Sequence, residues 1–309
     1  MSELRDRLPP PARALLERAG VTDERLEPLL RWEGDGLALV GSAAEGFLTP
    51  ESDLDFLVLR EESEPLDDVL ARRELGEVVA QRSTLVDRIL ALVEGVEIDV
   101  WILARDRFAS LEETLARSID PEGRISSLPG LQYLEQKALS RLHGAVPVYG
   151  DEALSRWRVA LRVEWLPSIV AAQMLVEALS YLEDAAALLR PGHDLGSVIA
   201  SRAAGERLVQ GALAAVGVVG WDLRYAGLHR DRLRADGAVV SSALDRLEDL
   251  LFPPHPLDAS ASLELALDVA GDLLAELDER PRMRHAAAYV RAFGEGRWKL
   301  PRDVLGKPK

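Results

Sequence analysis

The sequence predicts an α+β N-terminal domain followed by an all-α helical bundle. Two observations carry this. Short apolar runs bounded by glycine or acidic residues, Leu37 to Val40, Asp53 to Leu59 and Gly95 to Leu103, read as strands and all lie in the first third of the 309 residues. After about residue 150 the chain is instead a succession of Ala/Leu-rich amphipathic segments separated by Pro and Gly.

Residues 11 to 31 read as one or two short helices after Pro9-Pro10-Pro11, with Thr22 as N-cap of the second. Leu37 to Val40 is a buried strand that stops at Gly41, where the missing Cβ lets a backbone approach a ligand closely. Ser42 adds a hydroxyl, and the N–H groups of the following turn can face an anion such as phosphate. In the next strand side chains alternate in facing. Asp53 and Asp55 therefore share one surface, while Leu54, Phe56 and Val58 face the other. Two adjacent carboxylates repel unless a cation or donor intervenes, and oxygen ligands on a strand edge suit Mg²⁺. The bland alternative is a pair of solvated turn residues.

Leu66 to Val93 reads as a long helical segment, which makes Gly95 to Leu103 the second strand of a strand–helix–strand unit in the same sheet. That strand carries Glu97 and Asp99 on one face, either of which supplies the third carboxylate that phosphoryl-transfer chemistry requires; Asp99 is favoured. Leu111 to Ile119 and Leu131 to Leu142 have helical spacing, and the turn-rich stretch from His143 to Gly150 marks the domain boundary. The expected division is 1–145, 151–293 and a basic tail, 294–309. In the second domain the helical segments are Glu152 to Arg190, Val198 to Val216, Ser242 to Leu251, Ser260 to Leu277 and Arg282 to Phe293, with Pro167 dividing the first.

Gly41-Ser42, Asp53-x-Asp55 and a later strand carboxylate resemble the nucleotidyltransferase superfamily that includes DNA polymerase β. Gly46 and Thr49-Pro50-x-Ser52 between the two halves make the chain most similar to the aminoglycoside adenylyltransferase branch. The resemblance covers roughly residues 30 to 105. It implies a mixed sheet with flanking helices, an NTP, with ATP favoured, bound with Mg²⁺, and transfer of the nucleotidyl group to a hydroxyl with release of pyrophosphate. By position, Gly41, Ser42 and Ser52 would hold the nucleotide, Asp53, Asp55 and Asp99 would bind metal, and Asp99 or Glu97 would complete the shell or act as base.

Composition narrows the partners. A net charge of −15 disfavours long nucleic acid, which needs clustered cations. It is compatible with a small cationic acceptor bound between the domains, with Glu164, Trp165, Tyr181, Glu183 and Asp184 as residues near the boundary; the resemblance also implies Glu164 or Glu177 as a remote candidate base, because some family members take the base from the helical half. No apolar run is expected to span a membrane. The N-terminus has no apolar signal core and there are no cysteines, so a cytoplasmic location is the default expectation. Arg224-x4-His229 and the Arg280/His285 pair resemble the Arg-x4–6-His pattern of HEPN ribonucleases, a weak pattern in an arginine-rich chain. Trp165, Trp221 and Trp298 read as core or interface aromatics rather than base-stacking platforms. Three other readings remain open: a cyclic-nucleotide or oligonucleotide synthase, a toxin-type transferase acting on a protein or tRNA, and a degenerate nucleotide-binding scaffold.

Overall fold

The computed structural model describes residues 4–31, 36–49, 51–73, 78–219, 226–235, 240–253 and 258–294. Pro50, Gly220, Trp221, Arg224, Pro254, Trp298 and all of the basic tail but Gly294 lie outside the described residues. Two compact units interleave along the chain, Met1–Ala116 with Gly130–Glu164 and Arg117–Pro129 with Trp165–Lys309.

The first unit opens with α1 (Pro10–Arg18), whose proline lies in the first turn, where no intrahelical donor is needed, and α2 (Asp23–Leu30), which begins directly after Thr22. Thr22 occupies the N-cap position, but its hydroxyl reaches Glu24 rather than the helix backbone. Next come β1 (Gly36–Val40), the one-turn α3 (Gly41–Glu45), β2 (Leu54–Arg60) and α4 (Leu66–Arg73). Asp53 lies just before β2 rather than within it.

The predicted helix from Leu66 to Val93 ends at Arg73 and gives way to β3 (Val78–Arg82) and β4 (Val86–Val93). Val78 and Val79 favour strand, and Ser83 closes the connection by donating to the Val86 carbonyl at 2.7 Å. The turn from β4 into β5 (Val96–Ala104) is two residues long, with φ 48° at Glu94 and 83° at Gly95, the left-handed pair that suits a tight hairpin. Then follow α5 (Arg105–Ser118), α6 (Tyr133–Gly144), β6 (Val146–Tyr149) and α7 (Asp151–Ala160). The stretch read as a turn-rich boundary thus contains β6, and Tyr149 there donates to the Leu30 carbonyl at 2.6 Å.

Among the described residues the strands form one mixed sheet in the order β3-β4-β5-β2-β1-β6, parallel only at β2/β5. That central pair is buried along nearly its whole length, as a parallel pair covered on both faces should be. On one face Leu39, Phe56, Val58, Ile98 and Val100 pack with Leu16 and Leu26 of the first two helices. The opposite face, which carries Asp55, Asp99 and Trp101, meets α6 and α7, and Phe108 of α5 sits edge-on to Trp157 of α7 at 5.3 Å.

From Trp165 onward the second unit is helical among its described residues: α8 (Leu166–Leu189), α9 (Asp194–Ala215), α10 (Ala226–Ala235), α11 (Val240–Leu251), α12 (Ala259–Glu279) and α13 (Arg284–Gly294). Pro167 lies in the first turn of α8 and so begins a helix instead of kinking one, which divides the predicted 152–190 segment. Asp258 caps α12 by accepting from Ala261 N at 2.7 Å. Gly123, at φ 87°, lies so close under Trp165 that a Cβ there would fall 2.4 Å from the indole ring. The expectation of no membrane-length apolar run is corrected in one place. Val163–Leu189 is long and apolar enough by composition, with a mean hydropathy of 1.3, but 67% of that window is buried inside the protein, as befits a core helix.

Candidate active site

The sheet register builds the site. Asp55 and Asp99 are direct partners across the parallel β2/β5 pair, so both carboxylates leave the same face side by side. Asp53 precedes Asp55 by two residues and is half-buried; Glu97 precedes Asp99 by two and is exposed. Four carboxylates therefore gather at one sheet corner.

Gly41 fits against this corner for two separate reasons. Its φ is 67°, a conformation L residues adopt at a cost, and a Cβ on it would lie 2.3 Å from Asp55 Oδ2. The glycine read as a ligand-approach residue is thus also the wall against which Asp55 rests. Ser42 follows in the first turn of α3 and is half-buried. Ser52 fastens its own turn: its hydroxyl accepts from Thr49 N at 2.8 Å and lies 3.0 Å from Thr49 Oγ1.

Two arginines, neither singled out in the sequence, neutralise the carboxylates. Arg88 of β4 grips Asp99 with both ends of its fork, Nε to Oδ1 at 2.7 Å and Nη2 to Oδ2 at 3.0 Å, and Trp101 Nε1 adds a bond to Oδ2 at 3.2 Å. Arg141 of α6 reaches in from the covering layer, its Nη2 donating to Asp55 Oδ1 at 2.6 Å and to Asp99 Oδ2 at 3.4 Å. Its guanidinium lies 4.1 Å from the Trp101 ring centre, and Lys137, one turn earlier, lies 5.3 Å from the same ring. Arg141 Nη1 is buried with no hydrogen-bond acceptor. Arg88 stands in the segment misread as helix, where Val86, Ile89, Leu90 and Val93 keep a helical spacing, and Arg141 belongs to no local motif, so no local signal placed either.

The two central carboxylates are pushed in opposite directions. Burial raises Asp55 from 3.8 to about 7; Arg141 opposes this, while Asp53 and Asp99 add to it. Asp99 is lowered despite its burial because Arg88 and Arg141 bond its ionised form. A divalent cation such as Mg²⁺ needs hard oxygen donors and a local excess of negative charge. Asp53 and Asp55 offer both, which fits. Asp99 already has both oxygens bonded, and among the described residues no three Asp, Glu or His side chains are arranged to hold a metal ion. For a polyphosphate the unpaired Arg141 Nη1 is a ready donor.

The other candidates are placed elsewhere. Arg280 is tied to Glu276 at 2.6 Å, and His229 is buried in α10, while its motif partner Arg224 is not described. Glu177 pairs with Arg207 at 2.8 Å, and Glu164 is exposed. In the second unit α8 and α9 line a cavity of about 530 Å³, largely apolar, with Tyr181 and Asp184 among its walls.

Residues 24–124 match the nucleotidyltransferase domain family, a span that holds Gly41, Asp53, Asp55, Arg88 and Asp99 and stops before Arg141. No curated protein is significantly similar to the chain. A solved structure of a nucleotidyltransferase-like protein from Exiguobacterium sibiricum 255-15 shares 12% identity with a TM-score of 0.40, covering 85% of this chain and 74% of the other. Residues 24–124 are thus similar to a nucleotidyltransferase domain, and such domains in general use an NTP and a divalent metal. The comparisons do not extend to the aminoglycoside branch.

Proposed function

We propose that the enzyme transfers a nucleoside monophosphate, AMP from ATP, to a hydroxyl of a small cationic acceptor and releases pyrophosphate. The observation that carries this reading is the register-locked pair Asp55 and Asp99, backed by Gly41 and bridged by Arg141 Nη2, with Nη1 of the same guanidinium unpaired. Asp53 and Asp55 would hold Mg²⁺, which when bound supplies charge neutralisation on the phosphates and acidifies the acceptor hydroxyl. In the transfer the acceptor oxygen bonds the α-phosphorus as the bond from that phosphorus to the pyrophosphate oxygen breaks, and the hydroxyl proton passes to a base. Glu97 suits this last role: it shares a face with Asp99 and is exposed, whereas Asp99 is held ionised by arginines and accepts a proton poorly. Arg141 donates to phosphate oxygens where charge grows. The net charge of −15 supports a cationic acceptor over a nucleic acid.

Thermal unfolding with each of the four NTPs, with and without Mg²⁺, tests the donor site. The expected result is a Mg²⁺-dependent rise in Tm for ATP that is absent in Asp53→Asn. Saturation a hundredfold above Kd stabilises the folded state by about 3 kcal/mol, an easily read shift. A flat response to all four nucleotides would overturn the reading.

A further inference from the structure

We infer that the site works with a single divalent ion on Asp53 and Asp55, and that Arg141 supplies the positive charge between Asp55 and Asp99 that a second ion would otherwise provide.

A two-ion phosphoryl-transfer centre needs its ions about 3.5–4 Å apart, held together by shared carboxylates. Here the place between the two central carboxylates is filled. Arg141 Nη2 lies 2.6 Å from Asp55 and 3.4 Å from Asp99, within bonding reach of both. This guanidinium is not a loosely held surface group. Its side chain is 12% exposed and stacks 4.1 Å from the buried Trp101 ring. Asp99 is equally committed. With 2% of its side chain exposed, it accepts the bidentate fork of Arg88 and the indole N–H of Trp101, so coordinating an ion would require breaking charge-assisted bonds in a buried setting. Asp53 carries no such clamp. Asp55 Oδ2 packs against Gly41 and lies outside the Arg141 bond, which makes it the Asp55 oxygen that would join Asp53 on one ion. Asp99 is thereby a positioning residue: it anchors Arg88 and Arg141.

This rests on the nucleotidyltransferase reading, and the test separates the two. Mn²⁺ is titrated into the full-length protein saturated with a non-hydrolysable ATP analogue, and bound ions are counted by electron paramagnetic resonance. One magnetically isolated Mn²⁺ per chain is expected, and the count stays at one in Asp99→Asn. Arg141→Gln, which vacates the space between the carboxylates, should admit a second ion that couples to the first. Two coupled ions in the wild type would overturn the single-ion inference and leave nucleotidyl transfer standing. A count of one in a folded Arg141→Gln would show that the arginine does not hold the second ion's place. No bound Mn²⁺ at all would remove the donor-site reading and the inference with it. If either variant fails to fold, the wild-type count alone still decides whether one ion or two is used.

Discussion

Asp55→Asn should stabilise the protein at alkaline pH relative to acid pH. Asp55 is 8% exposed and its pKa rises from 3.8 to about 7, mainly through burial, with Arg141 opposing and Asp53 and Asp99 reinforcing. Between those two values the folded chain keeps a proton that the unfolded chain has released. The contribution of Asp55 to stability is therefore full below about pH 4 and is lost as pH rises through about 7. At about 1.4 kcal/mol per pH unit, the displacement corresponds to a loss of about 4 kcal/mol by pH 8. Asparagine keeps the Oδ1 acceptor for Arg141, turns an amide toward Asp99 in place of a negative charge, and does not titrate. Urea unfolding of both proteins at pH 4.5 and pH 8, followed by circular dichroism, should show the variant gaining on the wild type by up to about 4 kcal/mol between the two conditions. Asp99 is held low in the wild type and titrates below this window, so it does not blur the comparison. A difference between variant and wild type that is the same at both pH values would refute the burial-raised titration of Asp55.

Gly41→Ala places a methyl group 2.3 Å from Asp55 Oδ2 in a left-handed conformation. A stability loss of at least about 1–2 kcal/mol in urea unfolding is expected, together with loss of the Mg²⁺-ATP thermal shift. Glu94→Asn, in the left-handed first position of the β4–β5 turn, should raise stability by about 0.5–1 kcal/mol in the same assay, because asparagine tolerates φ 48° better than glutamate.

The acidic corner was legible because it depends on local spacing. Asp53-x-Asp55 and Glu97-x-Asp99 alternate at a period of two, and Gly41 ends an apolar run, so facing and approach follow from chain geometry alone. The helical half was legible for a similar reason: its breakers, Pro191-Gly192 and Pro253, fall where helices end. What escaped was tertiary. The run from Val86 to Val93 holds enough Leu, Ile and Ala to satisfy a helical period, and only pairing with β3 and β5 on both sides makes it a strand. Misreading it hid Arg88. Arg141 lies 86 residues from Asp55 on a helix whose sequence is ordinary, and nothing local says that its guanidinium enters the site. Burial of paired charges is a property of the assembled layers.

The interleaving of the two units bears on how the protein is made. The chain leaves the first unit at Ala116, contributes Arg117–Pro129 to the second, and returns for Gly130–Glu164. Asp55 and Asp99 thus emerge from the ribosome well before Arg141, and β6, which edges the sheet beside β1, later still. Until then the nascent sheet holds a cluster of like charges without one of its counter-cations, with β1 open for pairing along one side. A fragment ending at Ala116 would keep every residue of the acidic signature and lack the arginine that bridges it, so the catalytic unit is completed only after a stretch of its neighbour has been synthesised.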